Sequence, residues 1–394
     1  MKIELHIIQN VAPSNLNRDD TGAPKDAEFG GVRRARLSSQ SLKRAMREAF
    51  VLPNDMGLGK AVRTLQLVTA VDDILKESRG SEEIAIRHKA IHVALAAAGI
   101  KVDAEKNATQ YLLFLPARSA TQIAQLVDAH WDVLSAAEIS GDGKKKGKSA
   151  DSSLSKELVN ALKNIMKEAA ATPEIALFGR MVADEPTWNV DAACQVAHAL
   201  SVNRVSSEFD FFTAVDDLKQ DTGAGMMGTV QFGSSTFYRY LVVDVDAYMA
   251  NLADHKSPYS PELKAVARAS LAAFIEVAVK ALPSGKQNTF AAHNLPSLVM
   301  AVVRSDAPVS LTNAFLKPVT ATNEYDLADA AIIKLDAYFG QLTKAYGATH
   351  IQQIQTLVVN PDVKLANIAT DNAHVDDLAT LIAGTLDACF GGAS

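Results

Sequence analysis

The sequence predicts an α+β fold, because segments with the two-residue period of a strand alternate with segments that have the period of a helix. Apolar and polar residues alternate over residues 1–11, and residues 298–303 form a short apolar run, so both are predicted to be strands. Apolar residues recur every three or four positions over residues 42–50 and 261–282, which predicts helices. Residues 60–172 are dominated by helical patterns and are predicted to form an inserted lobe. Periodicity indicates the class of fold but not its topology.

Three further segments complete the predicted organisation. Residues 175–181 are strand-like, and residues 189–200 look helical. Two strand-like arms surround the glycine- and methionine-rich residues 223–228, which predicts a long protruding hairpin. Phe212, Met226 or Met227 could form the apolar edge of a hairpin that wedges between nucleic-acid bases.

The composition is that of an ordinary globular protein with a large core. The chain has 394 residues, of which 48% are hydrophobic and 21% charged, and 39 Lys and Arg against 45 Asp and Glu give a net charge of -6. Two cysteines cannot form a disulfide framework and indicate a reducing cytoplasm. Because no long apolar segment follows the amino end, we expect neither a signal peptide nor a membrane partner.

Positive charge is concentrated in one short part of this acidic chain. Residues 32–47 contain no Asp or Glu. The six cations of this stretch are Arg33, Arg34, Arg36, Lys43, Arg44 and Arg47. Such a concentration predicts a local anion site rather than a generally basic surface.

The arrangement of the stretch favours a phosphate-binding cradle. The glycines at 30 and 31 permit a tight turn, residues 32–37 suit a strand, and Ser38 or Ser39 suits the N-cap of a helix. Lys43 and Arg47 lie four residues apart and therefore project from one face of that helix. Hydroxyl groups and amides at a helix start bind phosphate well, which predicts a grip on a nucleic-acid backbone. The alternative is a solvated basic helix.

Three motifs in this region resemble the type I-E CRISPR Cascade backbone subunit of the Cas-seven family, also called CasC. They are NLNRDD at residues 15–20, KDAEFGGVRRAR at residues 25–36 and SSQSLKRAMR at residues 38–47. Weaker similarity continues to about residue 320. The resemblance implies a modified RRM-like (ferredoxin-like) palm with an inserted helical lobe and a protruding β-hairpin thumb.

The resemblance also implies domain boundaries and a function. The expected parts are residues 1–59 (first part of the palm), 60–172 (helical fingers), 173–204 (palm), 205–236 (thumb) and 237–394 (rest of the palm). Several copies would stack along one crRNA, and each thumb would displace a base and leave the others to pair with target DNA. The implied partners are crRNA, target DNA, other copies of the chain and other Cascade subunits, without a cofactor.

Individual residues can be assigned to the nucleic acid. By resemblance, guide phosphates are held by Lys25, Ser38, Gln40, Lys43 and Arg47. Phe211 and Phe212 match an aromatic pair at the base of the thumb, and Met181 and Met227 match residues that bracket the displaced base. Further RNA contacts are predicted on charge at Arg18, Arg34, Arg36 and Lys286.

A second basic segment follows the helical patterns of the insertion. Residues 139–153 are rich in Gly, Ser and Lys. Target-DNA phosphates are predicted to contact Lys144, Lys145, Lys146 and Lys148. A solubilising linker is the alternative interpretation.

Two motifs with a possible catalytic or metal-binding meaning are rejected. GLGK at residues 57–60 has Asn54 where a P-loop needs Gly and Ala61 where it needs Ser or Thr. His88 and His92 have the spacing of zinc ligands, but Lys89 replaces the Glu of a metalloprotease helix. We therefore expect no metal.

Two functions are weighed against each other. The first is a non-catalytic RNA-binding subunit, which the basic cradle without a catalytic constellation favours. The second is a metal-dependent ribonuclease, for which Asp19, Asp20, Asp216 and Asp217 offer carboxylates. Adjacent acids are more often solvated or paired with arginine, so the first function is preferred.

Overall fold

The computed structural model describes residues 1–52, 60–137, 154–182, 184–215, 218, 224–368 and 373–391. Helices and strands alternate along these residues, which confirms the α+β class. The strands are β1 (Lys2–Ser14), β2 (Asp26–Phe29), β3 (Val32–Leu37), β4 (Ala61–Thr64), β5 (Val102–Asp103), β6 (Ala108–Thr109), β7 (Leu113–Pro116), β8 (Cys194–Val196), β9 (Ala199–Ser201), β10 (Glu208–Val215), β11 (Ala224–Asp244), β12 (Leu298–Arg304) and β13 (Ile351–Val358). The helices are α1 (Ser39–Ala49), α2 (Leu67–Arg79), α3 (Ile84–Ala97), α4 (Arg118–Ala129), α5 (Trp131–Ala136), α6 (Lys156–Glu168), α7 (Pro173–Phe178), α8 (Val245–Leu252), α9 (Pro261–Lys280), α10 (Gln287–Phe290), α11 (Leu327–Tyr346) and α12 (Leu378–Phe390).

The chain divides into two compact units. The first comprises Met1–Phe50, Cys194–Asp246 and Arg268–Ser394, and the second comprises Val51–Ala193 and Ala247–Ala267. Among the described residues, no helix combines the length and the apolar character needed to cross a membrane.

A large antiparallel sheet forms the first unit. Within the described residues nine strands belong to it, in the order β13-β12-β1-β11-β9-β3-β2, with β8 and β10 also pairing with β11. β1 lies between β11 and β12, so that Lys2 stands opposite both Asp244 and Arg304. The central position explains why Ile3 on one face and His6 on the other are both buried. β3 pairs with β9 on one side and with the edge strand β2 on the other, so it lies near one edge of the sheet.

Helices cover both faces of this sheet. On one face, α11 buries Ile332, Leu335 and Phe339 against Met300 and Val302 of β12. This apolar contact stabilises the unit, since burial of apolar surface dominates folding. On the opposite face α12 lies against β12 and β13.

The second unit is mostly helical. Its core is formed by the apolar faces of α2, α3, α4 and α6, with Val71, Ile91, Ile123 and Leu162 among the buried side chains. Two small sheets, β4 with β7 and β5 with β6, belong to the same unit. Residues 61–64 were expected to begin a helix, but they form β4, and the helix starts at Leu67.

Two further secondary-structure predictions are wrong. Residues 175–181 were expected to form a strand, but Pro173 occupies the first turn of α7 and every residue of that helix is buried. Period alone cannot separate a short buried helix from a buried strand. Residues 189–200 were expected to be helical, but β8 and β9 pair with β11. Tertiary pairing there overrides the helical preference of the alanine-rich sequence.

Candidate nucleic-acid interface

The predicted basic stretch forms a β-hairpin followed by a helix. β2 and β3 pair from Asp26 opposite Ala35 to Phe29 opposite Val32, and the turn between them has positive φ at Gly30 and Gly31. The strand predicted over residues 32–37 is confirmed with the same bounds. The following helix begins at Ser39, three residues earlier than the predicted apolar face.

The start of α1 is organised by Ser38. Its hydroxyl oxygen accepts a hydrogen bond of 3.3 Å from the amide of Ser41, which confirms Ser38 as the N-cap. The first turn of α1 contains no acid, and Leu42 and Met46 bury the opposite face. Gln40 is exposed, and the first amides of any helix have no intrahelical acceptor. Positive electrostatic potential therefore remains at this helix start.

Arg34 corrects one of the sequence-based assignments. Its side chain is fully buried, and burial lowers the pKa of its guanidinium below the ordinary value. The guanidinium donates hydrogen bonds of 2.7–3.3 Å to five backbone carbonyl oxygens, those of Phe29, Ser201, Val202, Phe315 and Leu316. A phosphate cannot reach this group, so its predicted RNA contact is wrong. Arg34 instead fastens the basic hairpin to the rest of the sheet unit.

Lys25 and Arg36 form a cationic cluster beside the hairpin, and the ring of His198 lies next to it. The amide of Arg36 donates to the carbonyl of Lys25 at 2.9 Å, and its Nη1 lies 3.3 Å from Nδ1 of His198. Burial lowers the pKa of His198, and the charges of Arg36 and Lys25 lower it further. Among the described residues, no carboxylate lies within ion-pair distance of Lys25, Arg36 or the partly exposed Lys43. The cluster can therefore offer its charge to an external anion.

The other arginines of the stretch differ in their pairing. Arg33 contacts Asp26 at 2.8 Å, and Arg44 contacts Glu48 at 2.7 Å across one helical turn. Both pairs are exposed, so each contributes little to stability but does neutralise local charge. Arg47 is partly exposed on the same helix, four residues from Lys43.

Two asparagines that the sequence interpretation overlooked hold the basic loop in place. Asn15 is buried, and its Nδ2 donates to the carbonyl oxygens of Gly22 at 3.0 Å and Gln231 at 2.9 Å. Oδ1 of Asn17 accepts a hydrogen bond of 2.8 Å from the amide of Ser38. These bonds connect the loop to β11, which pairs with β10, and to the start of α1. A loop asparagine flanked by apolar Leu16 could have been recognised as a buried backbone clamp.

The acidic residues of the loop have structural roles or remain isolated. Asp19 accepts hydrogen bonds from the hydroxyl of Thr21 at 2.7 Å and from the amides of Thr21 and Ala23, and the Thr21 hydroxyl is the main cause that lowers its pKa. Arg18 and Asp20 are exposed. Within the described part of the chain, no group of three or more His, Cys, Asp or Glu side chains could hold a metal ion. The other two nuclease candidates, Asp216 and Asp217, lie outside the described residues.

The second hairpin presents apolar side chains to solvent. β10 and β11 pair in register with Phe211 opposite Thr229 and Phe212 opposite Gly228. Exposed apolar residues of this hairpin are Phe209, Phe211, Phe212, Val215, Met226 and Met227. Such a patch on an isolated two-stranded ribbon is unusual unless it contacts a partner.

The two neighbouring phenylalanines point to opposite faces of this hairpin. Phe211 and Met227 lie on the same face, because Met227 stands opposite Thr213 and strand residues two positions apart share a face. Phe212 lies on the other face, against Gly228. Phe237 is buried, as expected for a core residue, and Phe232 contacts the ring of Phe290 at 5.5 Å between centroids.

Lys286 belongs to a turn that lies against the basic loop. A Cβ atom built on the preceding Gly285 would lie 2.3 Å from the carbonyl oxygen of Leu16. Lys286 itself adopts left-handed backbone angles and is partly exposed. The fold thus brings this turn close in space to residues of the NLNRDD motif, although some 270 residues separate them in sequence.

The remaining predicted residues are placed elsewhere or are not described. Met181, in the second unit, is 83% exposed. Lys144, Lys145, Lys146 and Lys148 lie outside the described residues, as do Gly57, Leu58 and Gly59 of the rejected P-loop. Nε2 of His88 lies 3.6 Å from Oδ2 of Asp72, whose Oδ1 accepts a hydrogen bond of 2.7 Å from Arg87. This carboxylate is thus held by a buried arginine.

The chain is similar to proteins of known structure over almost its entire length. It covers all of a chain from a structure described as "CRISPR RNA-guided surveillance complex, pre-nicking", with 30% identity over 99% of its own residues and a TM-score of 0.79. A chain described as "CRISPR RNA-guided surveillance complex" shares 26% identity, with 99% and 100% of the two chains covered and a TM-score of 0.61. A search of curated proteins found no significant match. The family model described as "CT1975-like protein" matches residues 3–383, and the chain therefore belongs to the CT1975-like protein family.

Proposed function

We propose that this chain is a crRNA-binding backbone subunit of a CRISPR surveillance complex, and that it holds the guide without cutting nucleic acid. The relatives are chains of RNA-guided surveillance complexes. The observation that carries the proposal is the cluster of Lys25 and Arg36, which, like Lys43 on α1, lacks acidic partners among the described residues of an acidic protein. The motifs of residues 15–47 support the finer assignment to type I-E.

The cradle suits the backbone of RNA rather than its bases. Ser38 and Gln40 stand at the start of α1, where the helix dipole favours a phosphate, and Lys43 adds charge one turn later. Ammonium and guanidinium groups that contact phosphate carry no sequence information. A guide of any sequence could therefore be held, which is what a subunit that leaves recognition to base pairing requires.

The salt dependence of RNA binding tests this proposal. We compare the full chain with Lys25→Ala/Lys43→Ala and with the control Arg33→Ala/Arg44→Ala, which removes the same charge from arginines already paired with Asp26 and Glu48. Affinity for a fluorescein-labelled single-stranded RNA is measured by anisotropy at several salt concentrations. The slope of log affinity against log salt concentration should become less steep by about 1.4 in the lysine variant, and by less than about half of that in the control. Equal slopes in both variants would contradict the proposed cradle.

The β10–β11 hairpin is proposed to be the thumb, within residues 205–236, that displaces one base of the guide. The support is its exposed apolar face with Phe211 and Met227, since apolar side chains that enter a base stack compensate for lost stacking. An RNA containing 2-aminopurine reports base displacement by fluorescence. Phe211→Ala should weaken the fluorescence increase several-fold, whereas Phe212→Ala, on the opposite face, should change it less. Identical behaviour of both variants would argue against this face.

Stacking of several copies along the guide is a further part of the proposal. The proposal also includes the palm and helical-lobe boundaries given above and a contact of Met181 with the displaced base. It includes contacts with target DNA by Lys144, Lys145, Lys146 and Lys148. Analytical ultracentrifugation of the chain with RNAs of two lengths tests the stacking. The number of bound chains should rise in proportion to RNA length, and a fixed number would contradict a filament.

The ribonuclease alternative has less support. Asp19, one of its two described carboxylates, is engaged in the loop turn, and Asp20 has no described catalytic neighbour. The assembled complex is incubated with Mg²⁺ and an RNA matched to the guide. We expect intact RNA, and cleavage that disappears in Asp20→Ala would establish the alternative instead.

A further inference from the structure

A shallow groove lies at the root of the β10–β11 hairpin, within the sheet unit. It has a volume of about 40 Å³, room for a few water molecules, and its lining includes Lys25, Arg36, Asn15 and Ser235. The space admits the edge of a nucleotide but not a whole one. The groove thus joins two cations of the basic cluster to two buried polar side chains.

Asn15 and Ser235 each carry a polar atom without a partner. Oδ1 of Asn15 and Oγ of Ser235 are buried and make no hydrogen bond. Other described residues also have a buried polar atom without a partner, but of that set only Asn15 and Ser235 line the groove. Unsatisfied buried polar atoms are rare in folded proteins and call for an explanation, for which a bound ligand is one candidate.

The hydrogen bonds of Asn15 define what this ligand must offer. Nδ2 is occupied by the carbonyl oxygens of Gly22 and Gln231, and because those oxygens only accept, the orientation of the amide is fixed. Oδ1 is therefore left as an acceptor that requires a donor. Lys25 and Arg36 line the same groove and favour an anion, because the carboxylate of Asp26, which also lines it, is paired with Arg33 at 2.8 Å. A ligand that presents a donor beside a phosphate satisfies both demands.

In a nucleic-acid strand, the donor that occurs at every position next to the phosphates is the ribose 2′-hydroxyl. Base amino groups depend on sequence, so a protein that holds guides of any sequence cannot rely on them. On the basis of the proposed RNA-binding function, we propose that this groove takes the sugar edge of one guide nucleotide. Asn15 Oδ1 accepts a hydrogen bond from its 2′-hydroxyl, the hydroxyl of Ser235 donates to the 2′ oxygen, and the pair selects RNA over DNA.

Oligonucleotides with modified sugars test the contact in the full chain. Anisotropy compares one sequence as RNA, 2′-fluoro RNA and DNA, and the 2′-fluoro strand lacks the donor. The wild-type chain should bind RNA about fivefold more tightly than 2′-fluoro RNA, as expected for one hydrogen bond. In Asn15→Ala this ratio should fall to about one, because the acceptor of the 2′-hydroxyl proton is lost. In Ser235→Ala it should fall by about twofold, because the serine hydroxyl donates to the 2′ oxygen and fluorine is a poor acceptor, while affinity for DNA stays unchanged.

Ser234→Ala serves as the matched control. The hydroxyl of Ser234 donates to the carbonyl oxygen of Val11 at 2.8 Å and is absent from the groove lining, so its loss should leave the ratio at about five. Because Asn15→Ala also removes two bonds of the loop, Ser235→Ala decides the case if Asn15→Ala fails to fold. A ratio of one in the wild type, or an unchanged ratio in Ser235→Ala, overturns the sugar contact. The proposed RNA-binding function fails separately, through an absent salt effect in Lys25→Ala/Lys43→Ala.

Discussion

The ring of Phe212 packs directly against the backbone of Gly228 on the neighbouring strand of the long hairpin. A methyl group built on Gly228 would lie 2.5 Å from Cζ of Phe212, closer than non-bonded carbon atoms approach. The two residues stand opposite each other in the β10–β11 register. Phe212 thereby supports the hairpin from one face, while Phe211 and Met227 remain exposed on the other.

Gly228→Ala should therefore displace the Phe212 ring and loosen the hairpin. Overpacking of this kind favours local opening, so amides of residues 208–215 should exchange hydrogen at least about fivefold faster, measured by mass spectrometry. In the double variant Gly228→Ala/Phe212→Ala the clash is absent. Its exchange should therefore be slower than the two single variants predict if their free-energy effects are added. Additive effects would show that Phe212 and Gly228 are not coupled through this contact.

Sequence patterns predicted β3 and α1 of the basic stretch better than they predicted the rest of the sheet, and they missed β2. The stretch around β3 and α1 has local determinants, namely a glycine turn, an N-cap serine and an amphipathic helix, and each was recognisable within a few residues. β8, β9 and β13 owe their conformation to pairing with distant strands, which a local period cannot reveal.

The site shows the same division between local and distant causes. The cations that line it were recognisable from their clustering. Arg34 and Arg36 are two residues apart on β3 and share a face, so strand alternation does not separate their roles. Arg34 is buried because carbonyl groups of residues 201 and 315 surround its guanidinium. Asn15 and His198 join the site through contacts with residues far away in sequence, so their contribution could not be derived from the motif alone.

Arg34→Ala should destabilise the fold by roughly 3–5 kcal/mol, because five carbonyl groups, three of them in buried hydrogen bonds, would lose a donor. Arg34→Lys should also destabilise it, since one ammonium group cannot reach carbonyls that surround a planar guanidinium. Urea unfolding measures both. Arg33→Ala, at the exposed neighbour, is the control and should change stability by less than about 0.5 kcal/mol. Comparable losses of stability at Arg33 and Arg34 would contradict the role of Arg34 as a buried hydrogen-bond donor to these carbonyl groups.

Glu4 should make the stability of the sheet unit sensitive to acid. Burial alone raises the pKa of this carboxyl, but nearby His6, 3.9 Å away, and hydrogen bonds from Tyr240 and the amide of Val309 outweigh burial, and the net pKa lies below the ordinary 4.5. The ionised form therefore stabilises the fold above about pH 4.5, and this contribution is lost as the pH falls through the lower, folded-state pKa.

Glu4→Gln tests this directly. It should cost about 2 kcal/mol at neutral pH, because buried Arg304 would lose its charged partner at 3.3 Å but keep the carboxylate of Asp306. In thermal unfolding, the stability of the wild type should decline between pH 5 and about pH 3. The decline should be smaller in Glu4→Gln, which has no carboxyl group to protonate at this position. Glu105→Gln at an exposed position is the control. Parallel pH profiles of Glu4→Gln and wild type would rule out Glu4 as the acid-sensitive group.

His198 should report on the charge of the proposed phosphate cradle. Burial and the nearby charges of Arg36 and Lys25 lower its pKa, so Lys25→Ala should raise the pKa towards the ordinary 6.5. Phosphate groups bound at the cluster would act in the same direction, and RNA binding should be accompanied by proton uptake as the pH approaches that value. Titration of the ring carbon signal by NMR, with and without RNA, measures both shifts. If RNA leaves the pKa of His198 unchanged while it binds, the bound strand does not pass the Lys25–Arg36 cluster.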